Sequence, residues 1–505
     1  MSQLYTAPRS RRNTELVLLI LALAIAIGSD TLVTINLDQP FGSAYITRTI
    51  VFAALPLALH IVLRLRAKYA DPVMLPVVTA LNGVGLTMIH RLDIANRDDA
   101  ASRQLVWTAI AVVAAGVVLW VLRDHRVLRR YTYISFAVSA VLLLLPLLPG
   151  IGQEINGARV WITVGIGSFQ PGEIAKITLA IFFAGYLSTN RDLILLAGRK
   201  LGPLQFPRAR DLAPMIVAWL IGLGILVVQR DIGMSVMFFT LFMVMIYVAT
   251  SRASWILIGL AMVVAGGVFA YQTMGHVQAR VNGWRNAFDP EVFNAAGGSW
   301  QIVQGLFGLA NGGLFGTGLG LGRPDLVTYA NSDMIVAALG EEIGLIGVVA
   351  LVLLYVILVS RGMRAALGTR DAFGKLLACG LAFALAVQCF VIMGGVTRLI
   401  PLTGLTTPFM SAGGSSLLAN WIIVALLLLI SNAARRPAPT GPIRESDLPS
   451  SGIDVVEPRT AATSAIGTGG ATEASARRPA ATARAGRSAV GASPSARTRS
   501  ERSTP

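Results

Sequence analysis

Apolar residues fall into long runs along this chain, and the polar positions collect between them. Runs of roughly 18 to 25 residues, enough to cross about 30 Å of hydrocarbon as a helix, lie near residues 15–35, 46–66, 72–90, 103–122, 131–149 and 171–188, and again near 211–229, 231–249, 253–271, 333–359, 373–396 and 414–432. The pattern predicts an all-α polytopic membrane protein with about twelve transmembrane helices. The spans either side of Gln229-Arg230-Asp231 are joined so tightly that they form a membrane hairpin. Residues 272–332, between the ninth and tenth spans, make the longest polar stretch, and their tryptophans, phenylalanines and glycines point to an ordered, functional loop.

Charge supplies an orientation. Clusters such as Arg64-Arg66-Lys68, Arg123-Arg126-Arg129-Arg130, Arg199-Lys200-Arg208-Arg210 and Arg361-Arg364-Arg370 fall in alternate connections, which the positive-inside rule places in the cytoplasm together with residues 1–12. An even number of spans returns the C-terminus to the cytoplasm, and the connections 150–170, 272–332 and 397–413 then share the outer face. The apolar run after Arg9, Arg11 and Arg12 reads as a first span, because no small-residue cleavage site follows it.

Composition agrees: 54% hydrophobic and 13% charged residues exclude an ordinary soluble globule. The net charge of +16 is not a nucleic-acid signal, because eleven arginines against six acidic residues follow Ala434 and most other cations flank spans. Residues 434–505, rich in Ala, Ser, Thr, Gly, Pro and Arg, are expected to form a disordered cytoplasmic tail, solubilising or in contact with anionic membrane lipid. Cys379 and Cys389 share one apolar run, which argues against a disulfide framework and a metal site.

Ionisable residues at span ends carry the candidate chemistry. Asn331-Ser332-Asp333 opens the run Met334–Leu339; these residue types suit a helix cap. A cap leaves Glu341 and Glu342 unexplained, two carboxylates further along the same helix, with Glu341 rotated by about 80° from Asp333. Phe169-Gln170-Pro171-Gly172-Glu173-Ile174-Ala175-Lys176 opens the sixth span, where Glu173 and Lys176 suit a plain intrahelical pair. Asn156-Gly157-Ala158-Arg159 adds a cation upstream. Residues 394–416, broken by Pro and Gly around Arg398, suit a cavity wall, since irregular backbone at membrane depth needs cover by protein or water. The loop itself offers Arg280, Trp284, Arg285, Trp300, Gln301 and Gln304, with glycines from Gly312 to Gly322 able to approach an anion. Together these describe an outward-facing polar cavity suited to a phosphorylated lipid.

The same residues carry a resemblance. Through NGARVWI, FQPGEIAK, the region from RVNGW to SWQIVQ, GGLFGTGLG, NSDMIVAALGEEIGLIG and LIPLTGLTTPFMSAGGSS, residues of about 100 to 432 resemble the shape, elongation, division and sporulation (SEDS) family, the RodA and FtsW proteins. The RNTELVL start and two extra N-terminal spans look like the actinobacterial RodA branch. The resemblance makes residues 13–433 a SEDS-like transmembrane domain. It implies a peptidoglycan glycosyltransferase that polymerises lipid II onto a growing undecaprenyl-diphosphate glycan strand outside the plasma membrane, with a class B penicillin-binding protein as partner.

The family's catalytic aspartate, in a motif usually written H-T-D-F, aligns with Asp333. Its Glu and Lys of Q-P-S-E-x-x-K align with Glu173 and Lys176, and its Gln of G-Y-Q with Gln301. Around them the chain departs: Val327-Thr328-Tyr329 replaces Leu-Pro-Glu, Trp300 replaces the Tyr, and Arg230-Asp231-Ile232-Gly233 replaces Pro-Asp-Leu-Gly. On this reading Asp333 is a general base, Lys176, Arg159, Arg280 and Arg398 are diphosphate contacts, and Glu173, Gln301 and Glu341 complete the substrate set. The resemblance admits a divalent cation, Mg or Mn, although no dedicated metal-ligand spacing stands in the sequence. Transport of a polyprenyl-linked saccharide suits spans with broken helices and intramembrane charge almost as well, and a scaffold that only activates a transpeptidase is the third possibility.

Overall fold

A computed structural model describes residues 10–437 except 156, 165, 166, 197, 202, 203, 208 and 296, and gives only the backbone of residues 164 and 191–212. The expected tail therefore lies almost entirely outside the described residues, as do residues 1–9. The helices are α1 (Arg12–Asn36), α2 (Ser43–Arg66), α3 (Met74–Asn96), α4 (Ala100–Val121), α5 (Thr132–Leu144), α6 (Pro171–Leu196), α7 (Ala209–Gln229), α8 (Ile232–Thr250), α9 (Ser254–Thr273), α10 (Gly275–Arg285), α11 (Pro290–Asn294), α12 (Trp300–Gly312), α13 (Ile335–Gly368), α14 (Ala372–Val396) and α15 (Gly414–Arg435).

Among the described residues nine helices are long and apolar enough to cross a membrane: α1, α2, α4, His125–Leu147 around α5, α8, α9, α13, α14 and α15. Ala213–Gln229 in α7 is a shorter apolar helix. The helices α3 and α6 are as long but carry Arg91, Glu173 and Lys176 inside them, all buried against neighbouring helices. Charge in a span is tolerated where protein covers it.

Two small antiparallel sheets interrupt the expected all-helical plan. Strands β1 (Gly152–Ile155), β2 (Ala158–Val164) and β3 (Gly167–Phe169) form a meander, and β4 (Gly198–Leu201) and β5 (Leu204–Pro207) form a hairpin. The first turn follows from its sequence: Ile155 pairs with Ala158 across Asn156-Gly157, a strong two-residue hairpin signal, and Gly157 has a φ of +77°. The following Val160-Trp161-Ile162-Thr163-Val164 run has strand-forming side chains. About half of the stretch 272–332 is helical, in α10, α11 and α12.

The core is laid around α14 and α15, whose spans are mostly buried, whereas α9 exposes nearly its whole surface. Close crossings use small residues, as expected where helices pack without a hydrophobic drive between them. A side chain at Gly85 of α3 would collide with the backbone of Met410, and one at Gly83 with Ala26 of α1. Cys379 and Cys389 are buried free thiols.

At the end of the bundle where the described chain both starts and finishes, the Asp71 carboxylate accepts Arg435 and faces Arg361 at 3.7 Å. The Asp71 N–H donates to Ser431 Oγ at 3.0 Å, and Arg12 donates to the Ala70 carbonyl. This clasp joins α1, α3, α13 and α15. Asp71 is buried while its arginines are partly exposed, so Asp71→Ala should cost about 1–3 kcal/mol, read as a lowered thermal midpoint in detergent. The exposed Arg103–Asp98 pair gives the contrast: Arg103→Ala should leave that midpoint unchanged within measurement.

Candidate active site

Asp333 lies on a turn between the glycine-rich segment that follows α12 and the start of α13. The turn is tight because the Met334 N–H donates to the Tyr329 carbonyl at 3.2 Å, with Tyr329 in the left-handed region at a φ of +57°. The capping position of α13 is Met334, which makes no side-chain cap. The Asp333 carboxylate instead takes Gln301 Nε2 on Oδ2 at 3.3 Å and Ser332 Oγ on Oδ1 at 2.8 Å. Gln301 stands in the first turn of α12, so one helix carries the carboxylate's turn and another its amide partner. The carboxylate is half-buried, and among the described residues no ion pair neutralises it.

The wall facing it is the irregular segment 397–413, which contains no helix or strand. Ala412 N donates to the Asn331 carbonyl at 2.7 Å and Ser411 Oγ to the Ser332 carbonyl at 2.5 Å, tying this segment to both residues before Asp333. Its other end is tied to α10. Arg280 donates to the Leu402 carbonyl at 2.8 Å, Trp284 Nε1 to the Arg398 carbonyl at 3.0 Å, and Arg398 to the carbonyls of Trp284 and Arg285 at 2.8 and 3.0 Å. An open cavity of about 670 Å³ lies here, lined by Trp284, Arg285, Asn286, Leu306, Thr397 and Arg398.

Arg280 is exposed as a residue, yet its guanidinium rests against the segment's backbone. Desolvation lowers its pKa from the usual arginine value, and the negative charges of Asp231 and Asp333 oppose that. Asp231, at the α7–α8 turn, caps α8 by accepting the Met234 N–H at 2.9 Å and receives Gln170 Nε2 at 3.3 Å. Desolvation pushes its carboxyl up to about 6; the Glu173 charge adds to the rise, while the Met234 and Gly233 N–H groups and Arg280 hold it down.

Behind the segment, Lys176 is buried with Nζ 2.5 Å from Glu173, 3.1 Å from Gln388 Oε1 and 3.3 Å from Asn420 Oδ1. Gln388 in turn donates to the Thr406 carbonyl at 2.9 Å. The Glu173–Lys176 pair is thus intrahelical, as the spacing suggests, and also braces the wall from within.

The structure therefore brings together Asp333, Gln301, Arg280 and the braced segment, with Glu173 and Lys176 one layer behind. It directs two other sequence candidates elsewhere. Arg159 pairs with Glu154 at 3.0 Å on the exposed face of β1 and β2, a local cross-strand pair. Glu341 turns its Oε1 to Asn311 Nδ2 and the Arg323 N–H, both at 2.9 Å, and so holds the glycine-rich segment. Asp231 and Gln170 were missed by sequence reasoning. Their signal was a weak one, since an aspartate at the start of a span also suits the helix cap that Asp231 forms. Among the described residues no three His, Cys, Asp or Glu side chains gather as metal ligands. A divalent cation arriving on a diphosphate needs only one or two protein carboxylates, and half-buried Asp333 fits that requirement.

Comparisons with known proteins place the chain in a family. A family model described as cell cycle protein, covering FtsW, RodA and SpoVE, matches residues 72–436. The peptidoglycan glycosyltransferase RodA of Mycobacterium tuberculosis is 47% identical over 456 residues, covering 89% of this chain and 96% of its own. Among solved structures, a chain from a peptidoglycan synthase complex, solved for its coordination of polymerization and crosslinking, superposes with a TM-score of 0.58 at 26% identity, covering 72% of this chain and 98% of that one. RodA of Thermus thermophilus superposes with a TM-score of 0.50 at 26% identity, covering 72% and 96%. This chain, a multi-pass membrane protein, belongs to the FtsW, RodA and SpoVE family of cell cycle proteins.

Proposed function

We propose that this chain is a peptidoglycan glycosyltransferase that polymerises lipid II into glycan strands on the outer face of the plasma membrane. The observation that carries the reading is the Asp333 carboxylate, half-buried, oriented by Gln301 and Ser332, and within the field of Arg280. The names of its relatives support the same activity. The reading includes twelve spans with both termini cytoplasmic and a class B penicillin-binding protein, a transpeptidase, as partner. The superposition on a chain from a peptidoglycan synthase complex supports such a partner.

In the proposed reaction Asp333 takes the proton from the 4-hydroxyl of the lipid II GlcNAc. The resulting oxygen attacks the anomeric carbon of the terminal sugar on the growing strand. The new C–O bond forms as the bond to the undecaprenyl diphosphate breaks, with inversion, and the diphosphate leaves with the electron pair. A diphosphate leaves without an acid, and cations offset its developing charge. Arg280, which donates to the Leu402 carbonyl and lies in the fields of Asp231 and Asp333, is the cation nearest this role. Arg398 spends its guanidinium on the carbonyls of Trp284 and Arg285 and so contributes by shaping the wall. A divalent cation, where present, would sit on Asp333 and the diphosphate and neutralise charge there.

Asp333→Asn keeps the shape and both hydrogen-bond partners but removes the base. Purified variant should polymerise labelled lipid II about a hundred- to ten-thousandfold more slowly than wild type while keeping the same thermal midpoint. Strands made by the variant at the wild-type rate would remove Asp333 from the base role.

Asp231→Asn separates stability from activity. The folded-state pKa of about 6 lies above the ordinary 3.8, so ionised Asp231 weakens the fold above pH 6. That penalty is relieved as pH falls through about 6 and is gone below about 4. The variant should therefore have a higher thermal midpoint than wild type at pH 7, an advantage that vanishes toward pH 4. Its kcat/KM for lipid II should fall about tenfold, because Arg280 loses a charge partner near the leaving group.

A further inference from the structure

The proposed reaction leaves α1 and α2 unused. They precede residues 72–436, the region that the family model matches. Their contacts are nonetheless specific. In the half of α1 nearer Asp333, Asp30 accepts Arg48 of α2 at 2.8 and 3.2 Å and His90 Nδ1 of α3 at 2.9 Å. Ser29 Oγ meets Thr87 Oγ1 of α3 at 3.1 Å. Both contacts fasten the α1–α2 hairpin to α3. At the last residue of α1, Asn36 Nδ2 donates to the Leu319 carbonyl at 2.6 Å. Gly320, at a φ of +83°, lies against α1, and a Cβ there would stand 3.2 Å from Asn36 Cβ and 3.5 Å from Val33 Cα.

Leu319 and Gly320 belong to the glycine-rich segment that leads from α12 toward Asp333. Four of its glycines, 313, 316, 318 and 320, have positive φ, so its backbone has much freedom to lose on ordering. Contacts from outside must hold it. One set comes from α13 and α3. Glu342 accepts the Gly320 N–H and Arg91 Nε, both at 3.0 Å, and Arg91 donates to the Gly322 carbonyl at 2.8 Å. The other set comes from α1. The two sets meet at Gly320, and Arg91 is adjacent in sequence to His90, which Asp30 holds. Polar contacts thus run from Arg48 through Asp30 to His90 of α3, and from the next residue of that helix, Arg91, into the segment. From Arg323 the chain runs through one short turn, Pro324–Leu326, to the turn that carries Asp333.

We propose that the α1–α2 hairpin is a positioning element for the reaction, with Asn36 as its point of contact: it fixes residues 313–323 and through them the turn that presents Asp333. This rests on the reading of Asp333 as the general base. The hairpin meets the segment at Leu319 and Gly320 and not Asp333 itself, so on this proposal it acts on the rate of the chemical step and leaves substrate affinity alone.

Two measurements on the full-length protein in detergent test it: amide hydrogen exchange of residues 313–334 by mass spectrometry, and the kinetics of lipid II polymerisation. The variants are Asn36→Asp, which keeps the shape but sets an acceptor against the Leu319 carbonyl, Asn36→Gln, which restores a donor, and Asp30→Asn, which loosens the hairpin from α2 and α3. For Asn36→Asp and Asp30→Asn, exchange in 313–323 should rise severalfold while peptides of α14 and α15 stay unchanged. In both, kcat should fall about three- to tenfold with KM within about twofold of wild type. Asn36→Gln should return both readouts most of the way.

Unchanged exchange in 313–323, exchange raised equally in α14 and α15, or raised loop exchange with unaltered kcat would each overturn the proposal. A wild-type protein that makes no glycan strands would overturn the functional reading instead. The exchange comparison would then still decide whether the hairpin orders the segment.

Discussion

An unwound backbone buried inside a membrane bundle must have its carbonyls answered by protein, and segment 397–413 shows how this chain meets that demand. Asn82 donates to Phe409, Tyr355 to Pro408, Gln388 to Thr406, Gln104 to Ser411, Arg280 to Leu402 and Trp284 to Arg398. Those six side chains come from α3, α13, α14, α4 and α10. Asn82, Tyr355, Gln388 and Gln104 sit in the buried interior, where an unpaired carbonyl would be expensive, while Arg280 and Trp284 hold the more exposed end. Positive φ at Arg398, Gly404 and Phe409 gives the backbone the turns it needs. The segment is therefore fixed by helices from across the bundle, and the position of Asp333 follows from it, because Ser411 and Ala412 hold the two carbonyls just before that residue.

The same economy explains the buried charges. Lys176 and Glu173 pair inside the bundle, and Lys176 also reaches Gln388, the residue that donates to Thr406. Their pairing stiffens the wall. Asp231 and Arg280 are set differently: desolvation works against the charge of each, and each lies in the other's field without a direct ion pair among the described residues. Strain of that kind gathers where a charge must be ready to interact with something that arrives later. The site thus has a braced layer behind and a poised layer in front.

Much of this was legible in the sequence, for reasons that can be traced. Helix placement followed from apolar length, and motifs at span ends picked out Asp333, Gln301, Glu173 and Lys176, whose contacts gather around one irregular segment. Other features were hidden because they depend on partners far away in sequence. Nothing near Glu341 shows that its carboxylate is taken by Asn311 and Arg323, and nothing near Arg159 shows that it points along a surface hairpin toward Glu154. That hairpin had its own local signal in Asn156-Gly157, outweighed by the helical character of the rest. The helices inside 272–332 were obscured because their residues are polar overall, and amphipathic spacing over helices as short as α10 and α11 is too brief to separate from loop.

The break in α13 has a mechanical consequence. Gly344 departs from helical geometry with φ of 67° and ψ of −176°, and residues of the glycine-rich segment fill the break through Leu345 N to Gly313 O and Ile346 N to Leu314 O. The piece from Ile335 to Ile343 is therefore a separate short helix docked on protein, and the piece below it is the rod that meets lipid. Helices tilt to match the thickness of the bilayer around them. Such a tilt would reach the glycine-rich segment directly, because Leu345 and Ile346 at the head of the rod are bonded to Gly313 and Leu314, so the break couples the rod to the segment instead of freeing it.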